Sequence, residues 1–202
     1  MAIYIYFMDK FEPEPVRLVL ISFFLGFIGY CLNVLVSGSV HNPDAPLLSL
    51  GIKAFIEELC KFILIAGVLY RNKNMNEPLD GIVYAVMVAM GFATAKNFYS
   101  VYSDGHGVSV VVLFTTILAH ASFAALMGYL LGKAKFIKRN ESWYIFASLV
   151  LASIFHILYD FFQFLSAVSG VWLGSIAALL IIIYLGKQAI DIHHKASPFK
   201  KD

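Results

Sequence analysis

Charge and cysteine are both scarce in this chain. Only 14% of its 202 residues are charged, where an ordinary soluble domain carries about 25%, so the composition argues against a water-soluble globule. The two cysteines, Cys31 and Cys60, fall in apolar runs with no CxxC spacing, which argues against both a disulfide framework and a thiolate zinc site. A net charge of +2 comes without any basic stripe interleaved with aromatics, and this sets nucleic acid aside as a partner. The N-terminal "MAIYIYFMDK" is apolar but too short to span a membrane. It also lacks the basic start and cleavage site of a signal peptide, and reads as an interfacial stretch or the remnant of a longer segment.

What the chain has instead is hydrophobicity. It is 60% apolar and 15% aromatic, and its mean hydropathy is +0.78. Runs long enough to cross a bilayer need roughly 20 residues each, and six follow one another at about 17 to 37, 46 to 70, 80 to 102, 108 to 131, 142 to 165 and 169 to 187. The breaks "SGSVHNPDAP", "RNKNMNEP", "SDGHG" and "KAKFIKRNES" are short and polar. No strand-like alternation is visible. The expected fold is therefore an all-α polytopic transmembrane bundle of about six helices, forming one integral-membrane domain over residues 1–202. Residues 1–16 are its entry segment and 188–202 its basic tail.

Lysine and arginine collect on cytoplasmic loops. Lys10 and Arg17 precede the first span, and Arg71 and Lys73 follow the second. Lys133, Lys135, Lys138 and Arg139 follow the fourth, and Lys187, Lys195, Lys200 and Lys201 follow the sixth. All fall on one side, so both termini are expected to be cytoplasmic. Lys53, Lys61 and Lys96 remain, all within spans.

An ionisable side chain at the bilayer centre costs about 2.5 to 3.5 kcal/mol on insertion scales, so such residues are usually paired, inward-facing and functional. The second span holds Glu57, Glu58 and Lys61; the third Lys96 and Asn97; the fourth His120; the fifth His156 and Asp160. Helical spacing lets Lys61 reach either glutamate, and it puts His156 and Asp160 on one face. Counted from the outer ends of their spans, Glu57, Lys96, His120, His156 and Asp160 lie within roughly 8 to 18 Å of the outer surface. Four helices thus supply polar groups at overlapping heights, as one shared, outward-facing site would require. The plainer alternative is helix-joining hydrogen bonds worth about 0.6 kcal/mol each, with Glu57 and Lys61 as a neutralised intrahelical pair. Glu12 and Glu14 precede the first span, where solvation is available, and read as an entry segment. Gly128 and Gly132 have the small-xxx-small spacing of close helix approach.

A buried carboxylate beside histidine can activate water, and glutamate, histidine and aspartate suit a divalent metal such as zinc. Intramembrane hydrolysis is one chemistry open to this set. A proton or cation path in a transporter is another, although the paired halves common in transporters are not visible.

The motifs "DKFEPEP", "EELCK" at 57 to 61, "LDGIVYAVMVAMGFATAKN" at 79 to 97, "AHASFAALMGYLLG" at 119 to 132 and "HILYD" at 156 to 160 occur in order. In that order the chain resembles the PrsW family of intramembrane proteases, relatives of the CAAX-processing and bacteriocin-immunity membrane proteases. The resemblance implies a multi-pass protease of a bacterial or archaeal cytoplasmic membrane. It would cut a membrane-anchored anti-sigma factor on the extracytoplasmic side, as the first step of a stress-signalling cascade. It further implies Glu57 as the water-activating or metal-binding carboxylate and Glu58 with Lys61 as its orienting pair. His120 and His156 would be metal ligands or oxyanion stabilisers, with Asp160 completing the late-helix motif. One position departs. Where the family has Phe-x-x-x-Glu-Asn, this chain has Phe92, then Lys96 and Asn97. A cation in place of a carboxylate is a poor base and a poor metal ligand. The expectation is an impaired catalyst, whether a deliberately inactivated form or a natural pseudoenzyme, with a non-catalytic substrate-binding scaffold as the alternative.

Overall fold

The computed structural model describes residues 14–38, 40, 42–104, 109–137, 139–169 and scattered positions between 176 and 192. Five α-helices lie in the continuous stretches: α1 (Val16–Ser37), α2 (Pro46–Leu64), α3 (Pro78–Asp104), α4 (Val110–Phe136) and α5 (Glu141–Ser169). No strand occurs among the described residues. The expected sixth span, the segment 1–13 and the tail beyond 192 lie largely or wholly outside them.

Local chemistry sets the helix ends. Pro15 accepts the Leu18 and Val19 N–H groups on its carbonyl at 2.8 and 3.1 Å, which starts α1. Pro46 occupies the first turn of α2, where its missing N–H costs nothing. The Ser109 hydroxyl caps α4 by accepting the Val111 N–H. Asn140, at a φ of 64°, makes the sharp turn into α5, a conformation asparagine tolerates better than most residues.

Four helices are long and apolar enough to cross a membrane: α1, α3, α4 and α5. The helix α2 differs because Lys53, Glu57, Glu58 and Lys61 share its 19 residues. Expected as one run from 46 to 70, it ends as an α-helix at Leu64 and continues as a π-helical turn, Ile65–Leu69. There the Tyr70 N–H reaches back to the Ile65 carbonyl at 2.8 Å. Such wide turns often mark functional sites.

The centre of the bundle is α3. In its apolar window 78% of residues are buried, against 28% in α1 and in α5, so the latter two present Leu20, Phe24, Leu35, Phe146 and Leu158 outward, as lipid contact requires. Two glycine crossings bring the backbones together. Gly91 lies against the Phe23 carbonyl of α1, and Gly128 and Gly132 lie against the Gly81 and Pro78 carbonyls of α3. The small-xxx-small reading of 128 to 132 therefore holds: any Cβ there would strike backbone. Several hydroxyls inside the bundle bond back to their own helix, as Ser22 does to Leu18, Thr94 to Met90 and Ser122 to Leu118, which satisfies these donors away from water.

At the other end of the bundle the loops are stitched together. The Lys135 ammonium donates to the Asn72 carbonyl at 2.8 Å, and the Tyr70 hydroxyl donates to Glu141 at 2.8 Å. Arg71 and Lys73 lie in the α2–α3 connection and Arg139 in the α4–α5 connection that these contacts join. The entry segment is not simply solvated, contrary to the sequence reading. Glu14 is buried and accepts a hydrogen bond from the Tyr84 hydroxyl of α3. Nearby, Asp80 accepts the Asn76 and Glu77 N–H groups at 2.7 and 2.8 Å. Folding α1 against α3 carries Glu14 into the protein, and a sequence position outside a span cannot signal that.

Candidate active site

The polar residues of four helices do meet. From α2, Glu57, Glu58 and Lys61 point inward and are buried, Glu58 and Lys61 completely. Lys53 stays exposed on the same helix. The i, i+3 and i, i+4 alternatives open to Lys61 are resolved by tertiary contact: it donates to Glu58 Oε1 at 2.5 Å. Glu57 takes its cation from another helix. Lys96 Nζ of α3 donates to both Glu57 oxygens, at 2.7 and 2.8 Å.

The two histidines close the site from α4 and α5. His120 Nε2 and His156 Nε2 stand 3.7 and 3.9 Å from the same oxygen, Glu57 Oε2. On its other side His120 presents Nδ1 to Lys61 Nζ at 3.1 Å, while His156 Nδ1 meets Glu58 Oε1 at 2.7 Å. The rings are nearly perpendicular, 87° apart with centroids at 4.9 Å. Aromatic walls hold them in place. Phe123 stacks on His156 at 4.8 Å, and Phe92 packs against His120 at 5.6 Å while lying under the Lys61 ammonium at 5.1 Å. Nothing in the hydrophobic pattern marks Phe92 and Phe123 as site walls, because they read as ordinary core residues.

Asp160 lies at the rim, with its side chain 30% exposed and Oδ2 3.5 Å from His156 Nε2. The Lys96 side chain is also 30% exposed, so the site opens on the side where these two sit. Asn97 points elsewhere. Its Nδ2 donates to the Leu113 carbonyl at 2.8 Å, tying the end of α3 to the start of α4. A buried amide, Asn33 on α1, has no partner for its Oδ1 among the described residues.

Glu57, His120 and His156 each bring one donor atom within 4.8 Å of the others. By residue type and spacing this is a metal-binding set. As built in this chain, however, cations engage both Glu57 oxygens directly and His120 from the ring nitrogen opposite the one that faces Glu57. Lys96 covers both oxygens of Glu57, and Lys61 faces the Nδ1 of His120. An ammonium group has protons to give and no lone pair to receive one. The arrangement therefore does not fit a bound divalent metal without displacement of a lysine.

Comparison with known proteins points in one direction. The sequence profile described as "PrsW family intramembrane metalloprotease" matches residues 14–186. Curated relatives named "Protease PrsW" include one from Bacillus subtilis (strain 168), 35% identical over 90% of this chain and 84% of the relative. One from Geobacillus kaustophilus (strain HTA426) is 31% identical over 85% and 78%. One from Clostridioides difficile (strain 630) is 30% identical over 88% and 77%. No solved structure matches the chain.

Proposed function

Because this chain belongs to the PrsW family of intramembrane proteases, we propose that its polar centre is a peptide-hydrolysing site within the membrane, held in a low-activity state by Lys96. Membership makes it a membrane-embedded protease with a protein substrate in the membrane. The finer reading is a single-pass, membrane-anchored protein of the anti-sigma factor type, cut in the half of the bilayer away from the basic loops. By the positive-inside rule that half is extracytoplasmic.

The observation that carries this reading is the convergence of a carboxylate and two imidazoles from α2, α4 and α5 on one point, Glu57 Oε2. In hydrolysis, a water between these groups gives a proton to Glu57 as its oxygen adds to the scissile carbonyl carbon. The carbonyl oxygen takes up the negative charge and is stabilised by a ring N–H. The carbon–nitrogen bond then breaks, with the proton passing from Glu57 to the departing amine. Glu58 and Lys61 orient the imidazoles. Asp160 steers the rim. A divalent cation, where a family member holds one, supplies Lewis acidity and a more acidic water; here the two lysines supply positive charge without it.

Lys96 restrains the step. With an ammonium on both oxygens, the Glu57 carboxylate is stabilised as the anion and is a weaker proton acceptor. The same contact favours a second reading, a substrate-binding scaffold without turnover. Purified chain in liposomes with a single-pass substrate separates them. Slow cleavage that disappears in Glu57→Gln and in His156→Ala, with both variants still folded, supports the protease. Substrate that co-purifies uncut, even after Lys96 is replaced, supports the scaffold.

A further inference from the structure

The two histidines face Glu57 with the same ring nitrogen, but their other nitrogens have partners of opposite chemistry. His120 Nδ1 lies 3.1 Å from Lys61 Nζ. Lys61 is an ammonium in this position: it donates to Glu58 at 2.5 Å and lies over the face of Phe92, and both contacts favour the cation. A group that only donates requires an acceptor, so Nδ1 of His120 carries the lone pair and the ring proton sits on Nε2. His156 is the reverse. Its Nδ1 lies 2.7 Å from Glu58 Oε1, the same oxygen that Lys61 keeps anionic. A carboxylate oxygen only accepts, so Nδ1 of His156 carries the proton. Its Nε2 stands 3.5 Å from Asp160 and 3.9 Å from Glu57, beyond hydrogen-bond reach of either.

We infer that the two imidazoles are fixed in opposite tautomers, His120 presenting an N–H and His156 a lone pair to the same space beside Glu57. This deepens the hydrolytic reading and rests on it for its use. His120 is the donor that meets the carbonyl oxygen as it becomes an alkoxide, and it is not a metal ligand while Lys61 is in place. His156 holds the attacking water, since Glu57 Oε2 and His156 Nε2, 3.9 Å apart, can each accept one hydrogen of a single water at about 2.8 Å. Glu58 is the element that sets both polarities, accepting directly from His156 and, through Lys61, defining the role of His120. The chemistry accommodated is a neutral acyl group passing through a tetrahedral oxyanion.

The tautomers can be read without any turnover. Full-length protein labelled with ¹⁵N-histidine, in lipid bilayers at neutral pH, gives ring-nitrogen resonances that separate protonated from bare nitrogens. His120→Gln and His156→Gln identify the two rings by the loss of their signals. The expected spectrum shows His120 bare at Nδ1 and protonated at Nε2, and His156 the opposite. Lys61→Met removes the donor behind His120 Nδ1 and should release the His120 pair toward the other tautomer. Identical tautomers for the two rings, a doubly protonated ring at either position, or a His120 pair unmoved by Lys61→Met would each overturn the inference. Because no cleavage is measured, this outcome is independent of whether the chain proves to be an active protease.

Discussion

Replacing Lys96 by glutamine should raise the rate of peptide hydrolysis. The lysine holds Glu57 at 2.7 and 2.8 Å, and at an effective dielectric constant of about 20 two unit charges at that separation attract by about 6 kcal/mol. The Lys96 side chain is 30% exposed, so water screens part of this, and a net stabilisation of the Glu57 anion on the order of 2 kcal/mol is a reasonable discount. That stabilisation must be given up when Glu57 takes a proton, so removing it lowers the barrier by a similar amount, or roughly thirtyfold in rate. Glutamine keeps a neutral donor for the carboxylate and so preserves its position. The assay is single-turnover cleavage of a single-pass reporter in proteoliposomes, comparing the parent chain with Lys96→Gln at equal amounts of folded protein. An unchanged or slower rate in a folded Lys96→Gln variant would refute the claim that this ion pair restrains the site. Lys96→Glu goes further, since it changes the local charge by two units, the charge of one divalent cation. Without metal it should unfold more readily, because a second carboxylate then faces the buried Glu57 carboxylate with no cation between them. Elemental analysis should find metal in that variant and none in the parent.

Other contacts give independent checks. Glu58 is fully buried and accepts from both Lys61 and His156, so Glu58→Gln should lower stability by about 3 to 5 kcal/mol in thermal unfolding in detergent, by stranding the Lys61 charge. Gly91→Ala would drive a Cβ into the Phe23 carbonyl, and the α1–α3 crossing should open at a cost of about 1 to 3 kcal/mol, seen as a lower unfolding temperature. Tyr70→Phe removes only the exposed bond to Glu141 and should shift stability by no more than about 1 kcal/mol. A large loss there would mean that the loop end carries more of the fold than its contacts indicate.

The helices were legible where length and apolarity sufficed. The runs at about 17 to 37 and 142 to 165 match Val16–Ser37 and Glu141–Ser169 closely, because twenty consecutive apolar residues have few other uses. Helix α2 was legible for a different reason: its charges are intelligible only if other helices answer them, and common depth correctly brought Lys96, His120, His156 and Asp160 to it. Depth could not say which charge answers which. Whether Lys61 pairs with Glu57 or Glu58 is undecided by helical spacing, and the choice is made by Lys96 arriving from α3. The burial of Glu14 and the turning of Asn97 toward Leu113 were likewise invisible, since each depends on a partner far away in sequence. The two histidines looked equivalent in the sequence, and they become distinct only through the lysine and the carboxylate behind them.

The most direct measurement is the mass of both fragments released from a single-pass substrate by Lys96→Gln in liposomes, with and without the added change Glu57→Gln. If the meeting point of α2, α4 and α5 is where peptide bonds are hydrolysed, the cut lies inside the substrate's membrane segment, at the depth of Glu57, and disappears when Glu57 is neutralised. A cut in the soluble flank, or one that persists in the double variant, would contradict the account.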